Sequence, residues 1–358
     1  MRTVYVLGAG ASHFAGFPLG GHLLPFLQSE FKSADHMTKG LGKYALDFIE
    51  KVKSLLPENR LLSTGEPDLE FVLSLVDLDN QNASNVPEFK PLINDLEMVA
   101  RKLNLEAWDS PRIKRGFAAL VASAFQYKSC QLLSKDAKIA HENFSTISAT
   151  WAAHLNPGDT LITFNWDLLQ EILLFRAGKW SCEDGYGMQL TSEKPLKPSQ
   201  ITILKMHGSC NWALRHGEDR FLQIDYSDVF FGPDRHKFCD PELLGSTSDY
   251  GDSLIIPSYL KDPLRVNILN SVWKSAASVL REAENLVILG YSLPAPDMPA
   301  RRLFSEMMNI NRKLKSITLV LHNDEESYNR WETLFGKYRS ICKIIRYKFE
   351  EFILDINR

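Results

Sequence analysis

A chain of 358 residues, 44% hydrophobic and 24% charged, has the material for a large α/β core with an added subdomain and is not intrinsically disordered. Its formal net charge of -3 supplies no global basic field, which disfavours strong, direct nucleic-acid binding by bulk electrostatics. Five scattered cysteines (Cys130, Cys182, Cys210, Cys239, Cys342) without a C-x-x-C pair suggest neither a disulfide framework nor a four-cysteine zinc site. With no basic leader and no apolar span, a cytoplasmic protein without membrane contact is expected.

The first element is Thr3-Val4-Tyr5-Val6-Leu7, a β-branched and apolar run read as a buried strand, which breaks into Gly8-Ala9-Gly10-Ala11-Ser12. Such a break leads the backbone to a helix N-terminus, where anions bind. Gly8 and Gly10 would allow a tight turn and the close approach of a pyrophosphate. Free amides of Ala11 and Ser12, and the Ser12 hydroxyl, would point at its oxygens. The third glycine of the dinucleotide fingerprint is His13 here and Gly16 comes three residues late, so a plain glycine-rich turn is the alternative.

Residues 19–150 carry leucine-rich helical runs, turn signals at Pro57-Glu58-Asn59 and Asn82-Ala83-Ser84-Asn85, and almost no strand pattern. They predict a helical insertion that divides a core made of residues 1–18 and 151–358, serving as a lid, a partner-binding module or an oligomerisation surface. Strand-like runs come later at 160–164, 201–206, 253–256, 285–289, 317–321 and 343–347, with helical periodicity at 167–177, 263–284, 299–311 and 325–338. Loop-rich excursions at 180–199 and 213–252 would cover the site, and 349–356 would close the chain as a short helix. The alternation predicts an α/β fold: a doubly wound, Rossmann-like parallel sheet with a large helical insertion after the first strand.

In such a sheet the ligand crevice lies at the carboxyl ends of the strands. Polar or glycine-rich residues stand there at Gly8-Ala9-Gly10-Ala11-Ser12, Thr163-Phe164-Asn165-Trp166-Asp167, Lys205-Met206-His207-Gly208-Ser209, Gly290-Tyr291-Ser292-Leu293-Pro294 and His322-Asn323-Asp324. Taken singly, Asn165 and Asp167 also read as helix caps, and His207 and Ser292 as turn residues. The joint pattern points to nucleotide chemistry. Among the other histidines, His13 stands beside the phosphate loop, while His22, His141, His154, His216, His236 and His322 read as surface or core. Trp151, Trp166, Trp212, Trp273 and Trp331 read as core, and Arg301-Arg302 with Arg312, Lys313 and Lys315 as solvated faces.

The order GAG-x-S, T-x-N-x-D, HG and G-x-S-L resembles the sirtuin-like NAD-consuming family over the sheet, leaving the insertion outside the likeness. The resemblance implies that Gly8, Ala9, Gly10, Ala11 and Ser12 cradle the pyrophosphate and that Asn165 contacts the nicotinamide ribose and positions water. It implies that Asp167 lies near the carboxamide, that His207 is the general base, and that Gly290, Ser292 and Asn323 contact phosphate or the adenosine ribose. Three departures matter. A family glutamine is Phe164 here, Leu19-Gly20-Gly21-His22 lacks the acid and arginine of deacylating members, and their zinc ribbon is absent. These departures resemble the family's bacterial anti-phage defence branch, whose members hydrolyse NAD and starve an infected cell. NAD as substrate, no zinc or other metal, a homo-oligomer and a partner such as a HerA-type DNA translocase ATPase or an Argonaute-like protein are then expected.

The chemistry agrees with this inventory. Cleaving the glycosidic bond of NAD releases neutral nicotinamide from a pyridinium, so the leaving group needs no general acid. A carboxylate such as Asp167 and the amide oxygen of Asn165 would stabilise developing positive charge, and a histidine at position 207 would accept a proton near neutrality. An NAD hydrolase is the primary expectation. A protein deacylase or ADP-ribosyltransferase, and a non-catalytic NAD or ADP-ribose scaffold, are the alternatives.

Overall fold

The computed structural model describes residues 2–31, 36–58, 61–76, 90–133, 143–181, 184–187, 198–214, 222–224, 253–255, 267–294, 297–322 and 324–356. The expected turn at 82–85, nearly all of the 213–252 excursion, Asn323, His141, His216 and His236 lie outside the described residues.

β1 (Thr3–Leu7) lies inside a six-stranded parallel sheet. Val4, Tyr5, Val6 and Leu7 are all buried, as an apolar run must be when a parallel sheet is covered on both faces. Its neighbours are β2 (Thr160–Thr163) and β7 (Asn285–Leu289); β3 (Thr202–Lys205) lies beyond β2, and β8 (Ser316–Val320) and β9 (Cys342–Ile345) lie beyond β7. The order β3-β2-β1-β7-β8-β9 means that the chain winds outward from β1 to β3 and then returns to the other side of β1. That reversal opens a crevice at the carboxyl ends of β1 and β7.

Between β1 and β2 the chain is helical wherever it is described, apart from short turns: α1 (Leu23–Glu30), α2 (His36–Lys53), α3 (Leu69–Leu75), α4 (Lys90–Leu103), α5 (Ser110–Leu133) and α6 (Phe144–His154). The boundary expected at 150/151 falls inside α6. This helix packs on the sheet, with Trp151 edge-on to Tyr5 at 5.2 Å and its Nε1 donating to Gln170 Oε1 at 2.7 Å. After β2 come α7 (Leu169–Arg176), α8 (Asn267–Glu282), α9 (Met298–Ile310), α10 (Glu325–Phe335) and α11 (Phe349–Asp355). Helices α6, α7 and α11 form one packed series and α8, α9 and α10 another, so helices flank the sheet. Among the described residues no helix is long and apolar enough to cross a membrane.

Two expectations are corrected. The run at 253–256 does not join the parallel sheet: β6 (Ser253–Ile255) pairs antiparallel with β4 (Gly208–Leu214), which also pairs with β5 (Leu222–Ile224). Gly208, at φ +79°, turns the chain away directly after β3, and β4 thereby starts a separate three-stranded sheet. Nor does β1 lead straight to the N-terminus of an α-helix. The loop winds into two short 3-10 turns, Ala9–Ala11 and His13–Ala15, ended by Gly16 at φ +86°. Phe17 precedes Pro18, whose ring pushes it out of the helical region.

Candidate functional site

A cavity of about 810 Å³ opens at the crevice, within the about 300–1,000 Å³ typical of ligand pockets. It brings together Gly8, Ala9, Gly10 and Ser12 from the end of β1, Asn165 and Asp167 from β2, His207 from β3, and Gly290 and Ser292 from β7. Ala11 is wholly buried behind the loop and does not line it.

The glycines hold two loops together. Gly10 N–H donates to Gly290 O at 3.1 Å, and a Cβ on Gly8 would lie 2.5 Å from Tyr291 Cα. A Cβ on Gly290, itself at φ +63°, would lie 2.6 Å from Ala11 N. Backbone meets backbone here, and only glycine fits. The expectation of free loop amides is corrected accordingly: Ala11 N–H donates to Gly8 O at 2.9 Å and Ser12 N–H to Ala9 O at 3.1 Å. The tight 3-10 winding turns these donors inward.

Asn165 is tied to this loop, its Nδ2 donating to Gly8 O at 2.9 Å and to Ser12 Oγ at 3.0 Å. Both amide protons are thereby used, leaving Oδ1 as the acceptor of the group. The Ser12 hydroxyl in turn donates to the Asp167 carboxylate, which also accepts Leu169 N–H at 3.0 Å at the start of α7. Asp167 is thus both a helix-capping acid and part of the cavity wall. Burial pushes its carboxyl above the ordinary range, with the nearby Lys205 ammonium opposing. Lys205, 1% exposed, lies 3.1 Å from Glu171 Oε1 and donates to the Asp167 carbonyl. Glu171 is likewise pushed up by burial against the pull of Lys205. Through the Asp167 carbonyl this charged group anchors the backbone two residues after Asn165.

His207 is buried beside aromatic rings. Phe164 meets it edge-on at 5.0 Å and stacks on Tyr291 at 4.0 Å, with 2° between the planes. His207 Nε2 lies 3.2 Å from Asp297 Oδ2, at ion-pair distance but off the line of an N–H hydrogen bond. The Tyr291 hydroxyl donates to the same Asp297 oxygen at 2.7 Å. Desolvation and Asp297 push that phenol far up. From the insertion, Asp68 and Glu70 of the α3 start and Phe117 and Phe125 of α5 complete one wall. Arg330 of α10 also lines the cavity, its Nε and Nη2 each donating to Ser292 O at 3.2 Å. Among the described residues, the buried Trp166 Nε1 and His207 Nε2 of the lining find no hydrogen-bond partner.

Sequence reasoning missed Asp297, Arg330, Lys205 and Glu70. An acid in the Pro-rich turn Pro294-Ala295-Pro296-Asp297 behind a glycine-ended strand was a signal for the first. Arg330 stands on an amphipathic helix like any solvated arginine, and nothing local marked it. Among the described residues, no group of three or more His, Cys, Asp or Glu side chains is placed to hold a metal ion.

No family model and no curated protein matches this chain. Among solved structures, one described as Sir2Tm bound to a propionylated peptide is similar with a TM-score of 0.37 and 13% identity, over 99% of this chain and 91% of that one.

Proposed function

We infer that this protein is an NAD hydrolase, cleaving NAD with water to nicotinamide, ADP-ribose and a proton. The observation that carries the reading is the convergence of the glycine loop, Asn165 and His207 on one cavity at the switch point of a doubly wound sheet. The cavity's volume, its unpartnered Trp166 Nε1 and the cationic Arg330 fit an elongated, partly anionic dinucleotide. When bound, NAD supplies its own leaving group, because nicotinamide departs neutral.

The chain's residues have the remaining tasks. Asn165, held by Gly8 and Ser12, presents Oδ1 to orient a water or a ribose hydroxyl. His207 accepts the proton. Asp167 braces Ser12 and the start of α7, and its carboxyl would add negative field in the cavity lining. With the loop amides of Ala11 and Ser12 turned inward, Arg330 of the lining is assigned to the phosphate charge. The rings of Phe164, Phe117 and Phe125 keep the floor poor in water.

Unregulated NAD cleavage would kill its own cell, so restraint belongs to the reading. We place it in the insertion or in a partner protein of the translocase or Argonaute-like kind in a homo-oligomeric defence complex, in the cytoplasm. Nicotinamide release from NAD by the purified protein, without acylated peptide, tests the activity. Release that disappears in Asn165→Ala and His207→Ala supports hydrolysis. Turnover only with an acylated peptide would replace it with deacylation, and tight NAD binding without release, alone or with partner and DNA, would replace it with a scaffold.

A further inference from the structure

His207 stands at the end of β3 with its ring confined. Phe164 packs against it edge-on at 5.0 Å, and the carbonyl of the preceding residue, Met206, accepts Trp273 Nε1–H at 2.9 Å. Across the crevice, Asp297 at the start of α9 is 1% exposed and brings Oδ2 to 3.2 Å from Nε2. Tyr291 holds that oxygen at 2.7 Å and is itself locked: its ring stacks on Phe164, and its carbonyl accepts Trp331 Nε1–H at 2.8 Å. A carboxylate this deeply buried is tolerable only with charged or hydrogen-bonded partners. The partners here include a tyrosine hydroxyl and an imidazole. With Nε2 buried and at ion-pair distance from Asp297, Nδ1 is the ring nitrogen not committed to that carboxylate.

We propose that Asp297 is a positioning residue for His207. Its carboxylate takes Nε2, selects the tautomer whose Nδ1 lone pair faces the cavity, and holds the imidazolium formed when a proton from water or a ribose hydroxyl moves to Nδ1. Tyr291 keeps the carboxylate in place. The off-axis contact at 3.2 Å needs only a small realignment of the two groups to become a hydrogen bond, as catalytic hydrogen bonds commonly tighten in the substrate complex. The proposal rests on the NAD-hydrolase reading for the source of the proton and not for the pairing.

Among the described residues, the ionisable groups about the ring are Asp297 from the start of α9 and Tyr291 from the end of β7, with Glu70 of α3, whose charge reaches Tyr291. Asp297→Asn keeps the size and an acceptor for Tyr291 while removing the charge. The experiment follows the His207 imidazole by NMR against pH in the intact protein, its resonance identified by loss in His207→Ala, and measures kcat and KM for NAD in parallel. In Asp297→Asn the His207 resonance is expected to titrate at lower pH than in the unsubstituted protein, since an adjacent carboxylate favours the protonated ring. The kcat is expected to fall roughly a hundredfold or more at constant KM. Tyr291→Phe shifts both in the same direction by less, and carries the test should Asp297→Asn fail to fold. A midpoint that does not move overturns the proposal even if activity is lost. A midpoint that moves in a protein releasing no nicotinamide upholds the pairing and defeats the hydrolase reading instead.

Discussion

Replacing Gly290 with alanine probes the seam on which the whole site is built. At φ +63° an L-residue carries about 1–2 kcal/mol of backbone strain. The new Cβ would lie 2.6 Å from Ala11 N and 2.7 Å from Gly10 Cα, both backbone atoms that cannot rotate away. The two loops must separate, adding about 1–3 kcal/mol of overpacking and weakening the Gly10 N–H bond to Gly290 O, which contributes about 0.5–1.5 kcal/mol. The expected loss is about 3–6 kcal/mol, a large share of the roughly 5–15 kcal/mol that holds a typical domain. Urea unfolding followed by far-UV circular dichroism measures it, with Gly20→Ala as control, because a Cβ there meets nothing within 4 Å. A Gly290→Ala protein within about 1 kcal/mol of wild type would refute the argument that glycine serves loop packing.

Asn165→Ala removes two hydrogen bonds to the loop and should cost about 1–3 kcal/mol of stability, together with nicotinamide release; calorimetry and a release assay check both. Lys205→Met leaves Glu171 and Asp167 buried without their counter-cation, at about 3–5 kcal/mol. Because both carboxyls already titrate above their ordinary range, the folded state holds their protons more tightly than the unfolded chain. Stability in that variant should therefore be highest below the ordinary carboxylate range and fall as pH rises through the raised values; urea melts at several pH values read this directly. Arg330→Ala should raise KM for NAD roughly tenfold at unchanged kcat, reflecting lost ground-state binding of about 1.4 kcal/mol.

The sheet and its flanking helices were legible because their cause is local. Apolar β-branched runs such as Val4 to Leu7 read as buried parallel strands, and three- and four-residue spacing over 299–311 and 325–338 reads as helices laid on a sheet. Asn165, Asp167 and His207 were legible because each stands at a strand end, and parallel strands gather their carboxyl ends on one edge. The short run at 253–255 misled because three extended residues carry no mark of which sheet they join; a positive φ at Gly208 decided that. The loop amides misled for a similar reason. Glycines permit an open anion nest and a closed 3-10 turn equally, and the close approach of Gly290 selected the closed form.

The sequence by itself therefore determined the class of fold, the polar and glycine-rich strand ends that meet at the crevice and the helical character of the described residues between β1 and β2, since these arise from periodicity and residue type along the chain. Only the tertiary structure decided what each of those residues touches. Asp297 reaches His207 from the start of a distant helix, Lys205 ties Glu171 to the Asp167 carbonyl, and residues of α3 and α5 in the insertion line the cavity. The physical reason is that such contacts depend on the winding order of the sheet, which sets residues far apart in the chain side by side and leaves no local trace in composition or spacing.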